Sequence, residues 1–227
     1  MKTTAIKSMK LYSRVERIYD ELRNIGIGED DPLTVADLLP FDQYHYFGAL
    51  AVDQAIAALA IEAAGRVEHV CGDVLTAALE AGGYDAVVSW LAFYHIAEPG
   101  RLFARLHDAL RPGGMIYVED FFLHGGFSAE EQPILDEVIY AQSLPKRDEY
   151  IGHLKDAGFH DIRFEDMTGQ WMPFVIERAT AYRARLDEHR ALHGREMTDA
   201  LDRFYDGVAT LFRGGSFGGL RVTAKRA

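Results

Sequence analysis

Tyr84-Asp85-Ala86-Val87-Val88-Ser89-Trp90 reads as a strand, and the consecutive apolar residues Ala86, Val87 and Val88 suggest burial on both of its faces. After it, residues 102–110 put Phe103, Leu106 and Leu110 on one helical face. Arg111-Pro112-Gly113-Gly114 then turns the chain, and residues 115–121 form another strand. Before it, residues 67–70 read as a strand, Gly72-Asp73 as its exit and residues 75–81 as a short helix. Parallel neighbours need a connection long enough to return to the same edge, so this alternation predicts an α/β fold with a mostly parallel sheet and helical crossovers.

Further along, the pattern gives helices over 130–141 and 146–157, the second stopped by Gly158, and a strand over 161–165. Two longer helices over 175–193 and 198–212 follow, and a last strand over 220–224 lies behind Gly214, Gly215, Gly218 and Gly219. Towards the N-terminus, Leu11, Val15, Ile18, Tyr19 and Leu22 share a face of a helix over 12–23, which Asn24, Gly26 and Gly28 stop. Thr34 is placed to cap a short helix through Val35 and Leu38, ended by Pro40. Residues 51–64 form one alanine-rich helix with Val52, Ile56, Leu59 and Ala63 in register, ended by Gly65. Between these two helices, Asp42-Gln43-Tyr44-His45-Tyr46-Phe47-Gly48 admits core packing, a dimer contact or the roof of a ligand pocket, so a homo-oligomer is an open reading. There is no repeat and no linker, and the expectation is a single domain, with residues 1–64 a helical lead-in to an α/β portion over 67–227.

The composition sets limits on function. A chain of 227 residues with 48% hydrophobic content buries one substantial core. Its 24 Lys and Arg against 35 Asp and Glu leave a formal charge of -11, which repels a phosphate backbone and argues against nucleic acid. Arg178, Arg183, Arg185 and Arg190 are spread along a helical stretch and read as a solvated face. Cys71 is the sole cysteine, so the chain has neither an internal disulfide nor a thiolate cluster for a metal. No apolar run reaches about 18 residues and no secretory leader is visible, so the expectation is a cytoplasmic protein with no membrane partner.

Several phrases, in their order, resemble class I S-adenosylmethionine-dependent methyltransferases, in particular the branch acting on glycine, sarcosine and related amines. They are Val70-Cys71-Gly72-Asp73-Val74, then the strand 84–90, His95-Ile96, Leu110-Arg111-Pro112-Gly113-Gly114, and Leu154 through Ala157-Gly158-Phe159. The resemblance implies a Rossmann-like sheet with an antiparallel C-terminal strand and helical additions. It implies S-adenosylmethionine as cofactor, lying across the carboxyl ends of the strands, and a small-molecule methyl acceptor. On that reading Asp73 holds the adenine amino group, the neighbouring Val74 amide helps read the ring, Gly72 belongs to the same cofactor-binding segment, and Trp90 lines the methionine side. Asp73 as a turn or cap and Trp90 as a packed ring are the plainer alternatives.

Methyl transfer from a sulfonium is an in-line displacement, and an ammonium acceptor must lose a proton before it attacks. His95 is the residue whose chemistry suits that proton, although a structural histidine is the plainer reading of the residue taken alone. Tyr44, His45 and Tyr46 lie in the segment that the resemblance folds over the cofactor, and their aromatic faces suit a methylated ammonium through cation–π attraction. Tyr46 joins His95 as a catalytic candidate, and Trp171 with Phe174 offers a second wall.

One part of the family pattern is missing. The resemblance implies a first strand, a GxGxG-like turn, a crossover helix and a second strand ending in an acidic residue, all before residue 67. Here residues 51–64 fit one helix, about 21 Å long, which cannot also supply two strands and a crossover. None of Gly65, Gly72, Gly82 and Gly83 recreates the turn. The expectation is therefore a truncated fold without the backbone that grips the methyl donor. The alternative to an enzyme is a catalytically inactive methyltransferase-like protein, acting as a partner or arising from an internal deletion.

Overall fold

A computed structural model of the chain describes residues 16–28, 30–34, 37, 46–60 and 72–227. The contacts divide it into two compact units. One comprises Met1–Ala49, Phe127–Tyr140 and Gln170–Gly214, and the other Leu50–Gly126, Ala141–Gly169 and Gly215–Ala227.

Among the described residues the second unit is built on four strands, β1 (Tyr84–Trp90), β2 (Leu110–Leu123), β3 (Phe159–Asp166) and β4 (Phe217–Arg226), in the order β1-β2-β4-β3. β1 runs parallel to β2, and β4 runs antiparallel to both β2 and β3. Three strands thus share a direction and the last opposes them, as the expected mostly parallel sheet with an antiparallel C-terminal strand requires. The expected strand 67–70 lies outside the described residues.

α1 (Glu16–Asn24) belongs to the first unit and α2 (Ala49–Leu59) lies in the second from Leu50 on; the helix expected over 51–64 stops at Leu59, because Ala60 takes a φ of 50°, and residues 12–15 and 61–64 lie outside the described residues. The crossover from β1 to β2 is α3 (Pro99–Ala109), with Pro at its start, where a missing N–H costs nothing, and with Leu102, Phe103 and Leu106 buried. These side chains meet Tyr150 and Leu154 of α4 (Arg147–Asp156), Ile116, Val118 and Phe122 of β2, and Leu220, Val222 and Ala224 of β4. The register pairs Ile116 with Ala224 and Val118 with Val222, so the core occupies one face of the sheet. Tyr117, Glu119 and Phe121 point to the other face, since strand side chains alternate.

Three local expectations need correction. Residues 75–81 form no helix: only a turn follows Asp73, whose carbonyl accepts the N–H groups of Thr76 and Ala77. The carbonyls that a helix would use are taken by α3, with Arg105 Nε donating to Val74 O at 2.9 Å and Arg101 Nη2 to Leu75 O at 3.2 Å. Ala86, Val87 and Val88 are half-buried rather than enclosed on both faces, because among the described residues β1 is paired only on its β2 side. The Arg-Pro-Gly-Gly turn lies inside β2 as a bulge, with Tyr84 opposite Leu110 and Ala86 opposite Met115. A Cβ on Gly114 would lie 2.9 Å from the Arg111 carbonyl oxygen and 3.1 Å from that of Asp85, so no larger residue closes this bulge without a shift.

The first unit is helical, with α1, α5 (Thr168–Ala184, begun in the second unit), α6 (Leu186–His193), α7 (Arg195–Gly214) and a π-helical turn (Ile134–Ile139) in place of a full helix over 130–141. The single helix expected over 175–193 starts earlier and breaks at Arg185; Pro173 forfeits one helical hydrogen bond without ending α5. α7 buries Leu201, Val208, Leu211 and Phe212. A Cβ on Gly207 would lie 2.8 Å from Ile134 Cγ2, so the glycine lets the π-helical turn approach. At the expected Thr34 cap the donors are reversed: the Thr34 N–H and hydroxyl both donate to Asp37 Oδ2, at 2.8 and 2.6 Å. Val35 and Leu38 lie outside the described residues.

Candidate functional site

In an open α/β sheet the carboxyl ends of the parallel strands form the natural ligand edge. At that edge the chain leaves β1 through Leu91, at φ 51°, and Ala92 into a single 3-10 turn, Phe93–His95. Leu91 N–H donates to the Glu119 carbonyl at 2.8 Å, which continues the parallel ladder one residue past Trp90. The Tyr94 N–H donates to Asp120 Oδ2 of β2 at 3.0 Å, and the N–H of Phe121 donates to Asp120 Oδ1 at 2.8 Å. From the other side, the N–H groups of Gln142 and Ser143 donate to the Tyr94 carbonyl at 2.9 and 3.0 Å. His95 is buried, its ring 3.8 Å from that of Tyr94, which itself packs 5.0 Å from Phe121. Burial pushes the Asp120 carboxyl up to about 7, against the N–H groups of Phe121, Tyr94 and Phe93, which favour its ionised form.

Trp90, at the end of β1, is half-buried with its ring edge towards Tyr117, centroids 6.5 Å apart. Beside it runs a polar row on the sheet face opposite the core. Tyr117 OH donates to Glu119 Oε1 at 2.7 Å, and Arg221 of β4 reaches the same oxygen at 2.7 Å. Arg221 also donates to Gln54 Oε1 of α2 at 2.5 Å and lies 3.5 Å from Glu165 of β3. Burial, followed by the bond to Glu119, raises the Tyr117 phenol well above its ordinary value.

The residues expected to hold a cofactor are placed as follows. Asp73 is exposed, and among the described residues it bonds only within its own turn, where Oδ1 accepts the Leu75 N–H at 2.8 Å. That bond closes a turn and caps no helix. Gly72 is exposed, and a Cβ there would meet only Ala77 Cβ at 3.5 Å, so nearby packing does not demand a glycine. Val74 is half-buried and tied to α3 through Arg105. Trp90 and His95 stand together at the exit of β1, whereas Asp73 sits in the turn held by α3.

Tyr46 belongs to the first unit, where it is buried with its ring 4.7 Å from Trp171, edge to face, and 5.4 Å from Phe174. Phe47 adds a further contact with Phe174 at 4.9 Å. Tyr46 is therefore in ring contact with both Trp171 and Phe174, the pair read as a separate second wall. Burial raises the Tyr46 phenol above its ordinary value, and the nearby Arg178 charge acts in the opposite direction. Tyr44 and His45 lie outside the described residues. Among those described, no group of three His, Cys, Asp or Glu is arranged to hold a metal, and no helix is long and apolar enough to cross a membrane.

Sequence reasoning missed Asp120, Glu119 and Arg221. The signal was an acidic pair set inside the apolar run from Met115 to Phe122, which a buried strand tolerates only when both carboxyls find partners.

The chain matches the methyltransferase domain model over residues 26–118. It is 32% identical over 137 residues to phosphoethanolamine N-methyltransferase 1 of Triticum aestivum, an alignment covering 57% of this chain and 27% of the wheat protein. Among solved structures it resembles phosphoethanolamine N-methyltransferase 2 of Haemonchus contortus, in complex with phosphomonomethylethanolamine and S-adenosylhomocysteine. The TM-score is 0.62 at 21% identity, over 68% of this chain and 36% of that one. A protein of Galdieria sulphuraria described as a sarcosine dimethylglycine methyltransferase gives a TM-score of 0.61 at 20% identity, over 69% of this chain and 57% of that one. The chain thus spans little more than a quarter of the wheat relative, and the likeness to solved structures is one of fold.

Proposed function

We propose that this chain, which is related to the class I S-adenosylmethionine-dependent methyltransferases of small molecules, transfers a methyl group to a small amine or related metabolite. The observation that carries the reading is the doubly anchored turn Phe93–His95 at the carboxyl end of β1, which sets a buried imidazole where an α/β sheet takes its ligand. S-adenosylmethionine, when bound, supplies an electrophilic methyl group on a sulfonium. His95 takes the proton from the ammonium form of the acceptor, which frees the nitrogen lone pair. The donor would supply its methyl group to that lone pair, the electrons of the S–C bond remaining on sulfur. Trp90 shields the methionine side from water, and Asp73 offers the adenine amino group the carboxylate oxygen that its own turn leaves available.

The fit of these residues to the methyl donor is partial. The sequence holds no GxGxG string, and the resemblance implies both that turn and an acidic residue after a second strand as the grip on the donor. Losing several such hydrogen bonds, at about 1–3 kcal/mol each, weakens binding by orders of magnitude. That loss favours a second reading, a methyltransferase-like protein without catalysis. Titration calorimetry with S-adenosylmethionine, combined with transfer of a labelled methyl group to a panel of small amines, separates the two. The enzyme reading expects saturable binding and label in an amine, and His95→Ala should lower turnover more than donor affinity. Absence of saturable binding at millimolar donor removes the enzyme reading.

A further inference from the structure

Asp120 sits on the face of β2 that carries the apolar core, between Val118 and Phe122, and is 1% exposed. A carboxyl in that position is costly unless hydrogen bonds compensate it. Its partners are backbone N–H groups: Phe121 next to it in the strand, and Tyr94 and Phe93 in the turn beyond β1. The first N–H groups of any helical turn lack a partner within the turn, and a side chain just before the turn ordinarily supplies one. Here that position is Ala92, which has no side-chain acceptor to give. Asp120 does the capping from 26 residues away in sequence.

We infer that Asp120 is a positioning residue for His95, capping the turn Phe93–His95 from the neighbouring strand so that the imidazole is held at the carboxyl edge of the sheet. The inference rests on the proposed role of His95 in methyl transfer. The opposite end of the turn is fixed independently, by the Gln142 and Ser143 N–H groups on the Tyr94 carbonyl. Removing the Asp120 cap therefore leaves the turn attached but free to tilt, and the ring that moves with it is His95, packed at a tilt against Tyr94 with centroids 3.8 Å apart. A filler of core volume would do none of this, which makes the two roles separable.

The test is Asp120→Asn, which keeps the shape but replaces one acceptor oxygen by a donor facing an N–H. The His95 ring signals, assigned by their loss in His95→Ala, should shift in the NMR spectrum of the variant. In turnover, kcat should fall roughly tenfold or more while the KM for the methyl donor stays within about twofold, because a misplaced group costs rate rather than binding. Ring signals superimposable on those of the unsubstituted chain, with kcat unchanged, overturn the inference. If the unsubstituted chain transfers no methyl group, the proposed function fails, and the His95 signals alone still decide whether Asp120 holds the turn. Should Asp120→Asn not fold, hydrogen exchange in the unsubstituted chain decides: the Tyr94 amide should be protected like the amides of β2. Exchange at the rate of an exposed loop overturns the cap.

Discussion

Burial of the Asp120 carboxyl raises its pKa to about 7, overcoming the N–H groups of Phe121, Tyr94 and Phe93. In the unfolded chain the same group titrates near ~3.9. Between these two values the folded state keeps a proton that the unfolded state has released, so stability falls as pH rises through that window and is flat above it. At ~1.4 kcal/mol per pK unit the loss is on the order of a few kcal/mol. Asp120→Asn carries no such proton, so its stability relative to the unsubstituted chain should rise by a similar amount between about pH 4.5 and pH 8. Urea unfolding at the two pH values measures this, and parallel pH dependences would show that Asp120 does not titrate in the window. The sequence pointed to His95 because a histidine just past a strand end sits where the sheet takes its ligand. Asp120 was not legible in the same way, because its role as a cap exists only once β2 lies beside the exit of β1.

At the scale of elements, the helices and strands of the α/β unit were legible wherever one face alone decides the structure. α3 is an example, with Phe103 and Leu106 on the face that meets the sheet, although Leu110, read as the last residue of that face, already belongs to β2. The residues after Asp73 failed for the converse reason. Their local pattern suits a helix, but Arg101 and Arg105 of α3 take the carbonyls of Val74, Leu75 and Ala77. That competition comes from a distant part of the chain and leaves no mark on local periodicity. Arg105→Ala should release two of the three carbonyls and cost about 1–3 kcal/mol, concentrated in the turn. Hydrogen exchange and limited proteolysis would find residues 74–80 more accessible while the β2 and β4 amides keep their protection. Unchanged protection over 74–80 would mean that the arginine contributes little to holding the turn.

At the scale of the whole molecule, the last strand to be made is not the last in the sheet. β4 enters between β2 and β3, pairing nine of its residues with β2 and joining β3 on its other edge. Local pattern identified the strand but not its place; its antiparallel direction came from the family resemblance, since nothing in residues 217–226 records which edges await it. The energetic weight of that placement is large, because Leu220, Val222 and Ala224 are fully buried in the same core as Leu102, Phe103 and Leu154. Without β4, β2 and β3 would face each other across a gap with unpaired backbone groups and an opened apolar face. Ending the chain at Gly214 should therefore abolish the cooperative unfolding of the α/β unit and leave the helices of the other unit to dominate the far-UV circular dichroism. The comparison is a thermal melt of both chain lengths, followed by circular dichroism and by Trp90 and Trp171, one in each unit. A shortened chain that melts cooperatively within a few degrees of the full one, with the Trp90 transition intact, would mean that β1, β2 and α3 hold their sheet without the strand that now joins them to β3.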